Sequence, residues 1–182
     1  MPQVHYFNPG HETAVLSGKE NYTPPANVQK MMQELACLPI WYAKSEDFVY
    51  VENYTPDESY LQTIQPKTQI LTLKEILENG NYLPPANAAP WGISPHSLSL
   101  FKKINSKSKW DLTIPEWKEE YFQLTGRQCA AKCLKEIQDA LPQIKFPSIP
   151  SFYEDIHEIE KYIKTNKPSF IIKTPYSSSG RG

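Results

Sequence analysis

The feature that most constrains this chain is an alternation in its first part: short β-prone runs take turns with segments whose apolar residues recur at helical spacing. Val4–Phe7 is the first β-prone run, and it ends at Asn8-Pro9-Gly10, a turn signal. A polar loop is expected from there to about Thr23. Val28, Met31, Met32 and Leu35 then follow the i, i+3, i+4, i+7 pattern of a helix. Thr23 suits its N-cap, and Pro24 and Pro25 suit its first turn, where a missing N–H costs little. Pro39 ends that helix; Ile40–Ala43 reads as a strand, Phe48–Val51 as another, Asp57–Ile64 as a short helix and Gln69–Leu73 as a strand. Strands that alternate with helices must be joined by crossovers, which predicts the α/β class with an open, mostly parallel sheet.

Composition fits this class. The 182 residues are 40% hydrophobic and 21% charged, a length that allows one domain or two small ones and buries about 70% of the unfolded surface without a metal or disulfide staple. Pro is frequent at 17 residues, but with only 7 Gly the chain is neither low-complexity nor collagen-like. Residues 1–100 carry five Lys and ten Asp/Glu, a formal −5, and residues 101–182 carry fourteen Lys/Arg and ten Asp/Glu, a formal +4, which sum to the −1 of the whole. The asymmetry suits a later part that meets a small anion, and equally suits ordinary surface variation. No dense Lys/Arg run marks a nucleic-acid partner. The segment Met1–His5 lacks the regions of a signal peptide and no apolar stretch approaches the ~18 residues of a membrane span, so a cytoplasmic protein with no membrane partner is expected. Asn21-Tyr22-Thr23 and Asn53-Tyr54-Thr55 match a glycosylation sequon, which without secretion is chance. Cys37, Cys129 and Cys133 cannot form a disulfide framework. Cys129 and Cys133 lie i, i+4 without a His or second Cys pair, so buried structural thiols are expected and no metal site.

Beyond Asn79 the chain is dense in Pro and small residues. Tyr82-Leu83-Pro84-Pro85-Ala86-Asn87 echoes Tyr22-Thr23-Pro24-Pro25-Ala26-Asn27, but six residues are too few for a structural repeat and Pro90 blocks a second copy of the helix. Ser94-Pro95 opens a helix with Leu98, Phe101 and Ile104 inward, and the Lys-rich stretch Asn105–Trp110 is the expected boundary region. Ile114, Trp117, Tyr121 and Leu124 are spaced as a short amphipathic helix. Thr125–Gln128 reads as a capping box opening a helix with Ala130, Cys133, Leu134, Ile137 and Leu141 as its buried stripe. Pro142, Pro147 and Pro150 mark an extended connection. Ser151–Glu154 reads as a second capping box, before a helix whose apolar face is Ile156, Ile159 and Ile163. Pro168 ends it, and Phe170–Lys173 is expected to be a buried strand delivering Lys173 into Ser177-Ser178-Ser179-Gly180-Arg181-Gly182.

That ending has phosphate-binding chemistry: backbone N–H groups with little side-chain bulk around them and one fixed cation. It is not a Walker A loop, because the Lys precedes the small residues. A flexible Ser/Gly tail is the other reading of the same composition. In the first part, the loop after the first strand holds Asn8, Gly10, His11 and Glu12. Ligands in open α/β sheets bind at the carboxyl ends of strands, which makes these four candidate substrate-binding residues against a plain structural turn. Trp91–His96 is a candidate lining of the same crevice.

The order of elements from Thr125 onward resembles the start of an ATP-grasp domain: a helix with a basic residue near its N-terminus, a connection ending in Pro, a second helix, a strand ending in Lys and a Gly/Ser-rich loop. The parts here are Arg127 in Thr125–Leu141, Phe146–Pro150, Glu154–Ile163, Phe170–Lys173 and Ser177–Gly182. The resemblance implies that Lys173 contacts the α- and β-phosphates of ATP, that Ser177–Gly182 closes over the β- and γ-phosphates, and that Arg127, where the family usually has Lys, also faces phosphate. It implies a Rossmann-like pre-ATP-grasp domain over residues 1–112 and the incomplete beginning of an ATP-grasp domain, a partial helix–helix–strand subdomain, over 113–182. The implied activity is ATP-dependent ligation of a small-molecule carboxylate to an amine, with ATP and Mg²⁺ as cofactors and room for a homo-oligomer. The family's Mg²⁺-binding Asp/Glu and Asn, its adenine hinge and its later catalytic Arg have no counterpart up to Gly182. The chain is therefore expected to be an N-terminal fragment, inactive alone. A non-enzymatic α/β small-ligand-binding or interaction module is the alternative.

Overall fold

Phe48-Val49-Tyr50-Val51 places four apolar residues in succession, and a strand of that kind needs cover on both faces. It receives it. In the computed structural model, which describes residues 1–52, 57–64, 66–146, 148–166 and 169–176, five strands form one all-parallel sheet in the order β3-β2-β1-β4-β5. The strands are β1 (Gln3–Tyr6), β2 (Phe48–Val51), β3 (Gln69–Thr72), β4 (Ala86–Pro90) and β5 (Leu112–Thr113). The α/β class with an open parallel sheet is as the alternation demands.

Because successive side chains on a strand point to opposite faces, β2 feeds two cores. Phe48 and Tyr50 join Val4, Tyr6, Leu71, Ile76, Phe101, Ile104 and Trp110 on one face, while Val49 and Val51 join Ala36, Cys37 and Ile40 on the other. The first face is covered by α4 (Leu73–Asn79) and α5 (Pro95–Ser108). Both helices begin at capping boxes, Thr72 with Glu75 and Ser94 with Ser97, each satisfying N–H groups that have no partner within the helix. Leu98, Phe101 and Ile104 of α5 point inward as their spacing requires.

Several local expectations are corrected. The stretch after Asn8-Pro9-Gly10 is not a polar loop but α1 (His11–Ser17), drawn into helix by burial of Ala14 and Val15. Ile40–Ala43 is not a strand: Leu38–Trp41 is a 3₁₀ turn, which buries Pro39 and Ile40 and leaves Trp41 exposed. α2 (Ala26–Glu34) starts at Pro25 rather than Thr23. Ala86–Pro90, in the Pro-dense region, is a strand because β1 and β5 both pair with it. Trp110 lies in no linker; it is fully buried against Phe48 and donates its indole N–H to the Pro84 carbonyl at 2.8 Å. Residues 114–118 form neither helix nor strand, and only Glu120–Leu124 form a helix, α6.

The chain divides into two compact units, Met1–Tyr121 and Phe122–Gly182. In the second, α7 (Arg127–Ala140) is capped by Gly126 without a side-chain bond, since the Thr125 hydroxyl donates to the Phe122 carbonyl instead. α8 (Ile156–Asn166) starts after Asp155, whose carboxylate accepts from the His157 N–H at 2.9 Å, so neither expected capping box forms. The α7 stripe is mostly exposed, Ala131 alone being buried, and Cys133 is exposed with Cys129 half-buried, against the expectation of buried thiols. Phe170–Lys173 is not a buried strand: residues 169–174 join no ladder, and Ile171 and Ile172 are 84% and 64% exposed. A run without a paired neighbour has no hydrogen-bonded reason to be a strand. Among the described residues no helix is long and apolar enough to cross a membrane.

Candidate functional site

The parallel register of β1 and β2 sets Tyr6 directly beside Tyr50 at the carboxyl ends of the two strands. Their rings lie 5.6 Å apart. Glu52, two residues beyond Tyr50, receives the Tyr6 hydroxyl at 3.2 Å. Burial, and after it the Glu52 charge, pushes both tyrosine hydroxyls well above the usual phenol range, so both keep their protons. Tyr6 spends its proton on Glu52. Tyr50 does not: it is 1% exposed, and its hydroxyl has no hydrogen-bond partner among the described residues. A buried polar group left unpaired costs about 1–3 kcal/mol, and with under 1 Å² of its surface accessible this hydroxyl is closed to a ligand as well as to water.

These groups line a cleft of about 280 Å³, just under the usual range for small-molecule sites. Phe7 continues its wall from β1; Gln29, Met32 and Gln33 come from α2, Tyr22–Pro24 from the segment before it, and His96 from the first turn of α5. Two partners fix how the polar rims face. The His96 Nδ1 stands 2.8 Å from the Glu20 carbonyl, which can only accept, so the proton sits on Nδ1 and a neutral ring keeps an acceptor at Nε2. The Gln29 amide nitrogen donates to the Pro24 carbonyl at 2.8 Å, leaving the amide oxygen as an acceptor.

The candidate residues named from sequence fall as follows. Asn8 is buried and holds Gly92 by two bonds: its amide donates to the Gly92 carbonyl at 2.7 Å and its oxygen accepts the Gly92 N–H at 2.9 Å. This joins the loop after β1 to the loop after β4, where the strand order reverses. His11 lies over Gly92 so closely that a Cβ there would come within 1.9 Å of the ring, and its Nδ1 is buried with no partner among the described residues. Gly10 faces Val28, 2.6 Å from where a Cβ would stand, and Glu12 occupies the first turn of α1. None of the four lines the cleft, although Phe7, next to Asn8, does; of Trp91–His96, His96 does.

In the second unit, Arg127 and the segment after Lys173 come together across 47 positions of sequence. The Arg127 guanidinium donates to the Thr174 carbonyl, its backbone N–H donates to the Pro175 carbonyl at 3.0 Å, and Tyr176 packs on Phe122 at 5.2 Å between ring centres. Lys173 is exposed. Ser177, Ser178, Ser179, Gly180, Arg181 and Gly182 lie outside the described residues. Among the described residues no group of three or more His, Cys, Asp or Glu side chains could hold a metal ion.

No family model, curated protein or solved structure matches this chain. Sequence reasoning missed Tyr6, Tyr50 and Glu52. Each reads locally as part of an ordinary strand or its end, and only the pairing of β1 with β2, 44 to 46 positions apart, makes them neighbours. The one available signal was the polar-aromatic character of two strand ends in a sheet expected to be parallel.

Proposed function

We propose that this chain supplies the substrate-side domain and the first phosphate-binding elements of an ATP-dependent carboxylate–amine ligase of the ATP-grasp kind, working in the cytoplasm. The observation that carries this reading is the meeting of Arg127 with Thr174 and Pro175. The resemblance pairs a basic residue at a helix start with a Lys at the end of a later segment, and here the first is anchored beside the second. A cation near a helix N-terminus opposes the dipole, so Arg127 gains from an anion close by. A parallel sheet with a cleft at its carboxyl ends suits the substrate side of such an enzyme.

In this reading ATP supplies the phosphoryl group that activates a carboxylate, and this chain's residues position and neutralise it. Lys173, exposed and on the segment that Arg127 holds, would contact phosphate oxygens; Ser177–Gly182 would offer backbone N–H groups to them. The described residues provide no Mg²⁺ cluster, so no step is assigned through that ion to this chain.

The test is ATP-dependent thermal stabilisation of the full protein. Nucleotide at about 100 times its Kd should add about 2.7 kcal/mol, and Lys173→Ala, an exposed change, should remove that gain while leaving the unliganded melting temperature in place. Unchanged stabilisation in Lys173→Ala would end the role given to this residue. No stabilisation of the wild type by ATP would favour the second reading, a non-enzymatic small-ligand-binding module, for which the cleft at the carboxyl ends of β1 and β2 speaks.

A further inference from the structure

We draw no further inference here: the strongest candidate, the exposed aromatic patch that Tyr42, after the 3₁₀ turn, makes with Trp91, after β4, their ring centres 6.3 Å apart, is an unpartnered apolar face, and nothing in the structure shows what covers it.

Discussion

Two helices of this protein have the same length and a similar apolar period, and they end up differently. α5 (Pro95–Ser108) and α7 (Arg127–Ala140) are both 14 residues long. α5 buries six of its residues, among them Leu98, Phe101 and Ile104, on a face of the parallel sheet. α7 buries one, Ala131; Ile137 on its stripe is 47% exposed. The period of a helix says which residues share a side, but burial depends on a surface to receive that side. In the first unit the sheet is that surface. In the second, the described residues form no sheet, and Leu124, Ile156, Ile171 and Ile172 are exposed as well.

The comparison can be broken most forcefully at Phe101. Phe101→Ala should lower the stability of the first unit by about 4 kcal/mol, the cost of deleting a fully buried ring and leaving a cavity. Ile137→Ala should cost well under 1 kcal/mol. Urea unfolding followed by tryptophan fluorescence, with Trp110 in the first core, reads the first change; amide exchange resolved by unit separates the two. Similar losses at the two positions would mean that α7 has a buried face after all.

A smaller effect is expected at Asp47, which ties the sheet's entry together. Its carboxylate accepts from the Gln3 N–H at 2.8 Å and the Lys44 N–H at 3.0 Å and stands 3.2 Å from the His5 Nε2. Burial works against its ionised form, but the Lys44 and Gln3 amides and the His5 ring outweigh burial and hold the carboxyl below its usual value. A depressed folded-state pKa means that stability is present above the unfolded value near 3.9 and is lost as pH falls through the folded one. Asp47→Asn should cost about 2 kcal/mol at neutral pH and should flatten the acid limb of the stability curve below about pH 4. An acid limb unchanged in the variant would remove Asp47 from that account.

The smallest effect belongs to the second unit. Ile171→Ser replaces a side chain 84% exposed and should change stability by no more than about 0.5 kcal/mol. A loss of 2 kcal/mol or more would show that Phe170–Lys173 is buried in the protein as it works, as its composition suggests.

Much of the first unit was legible in the chain itself. Strand runs at Val4–Phe7, Phe48–Val51 and Gln69–Leu73, and the α5 stripe behind Ser94-Pro95, all lie within a residue or so of where they form, because hydrophobic period and cap chemistry are local properties. Three readings failed for a shared reason. The short helix α1, the 3₁₀ turn at Leu38–Trp41 and the absence of a strand at Phe170–Lys173 each depend on what packs or pairs nearby, which no local window contains.

The two hexapeptides make the division plain. Tyr22-Thr23-Pro24-Pro25-Ala26-Asn27 and Tyr82-Leu83-Pro84-Pro85-Ala86-Asn87 differ at one position, yet Ala26 opens a helix and Ala86 opens a strand. Their shared part determined only that the two prolines precede a regular element. The neighbours decided which: Ala86–Pro90 lies between β1 and β5 and gives its N–H and C=O groups to their ladders, with Asn87 opposite Gln3 and Tyr6 opposite Pro90. The candidate site divides in the same way. The sequence by itself determined an open parallel sheet and, by the general rule for such sheets, the end at which a ligand would bind. Only the tertiary structure set Tyr6 beside Tyr50, gave the Tyr6 hydroxyl to Glu52 and left that of Tyr50 without a partner among the described residues, because hydrogen bonds between residues some 46 positions apart exist only after the strands have met.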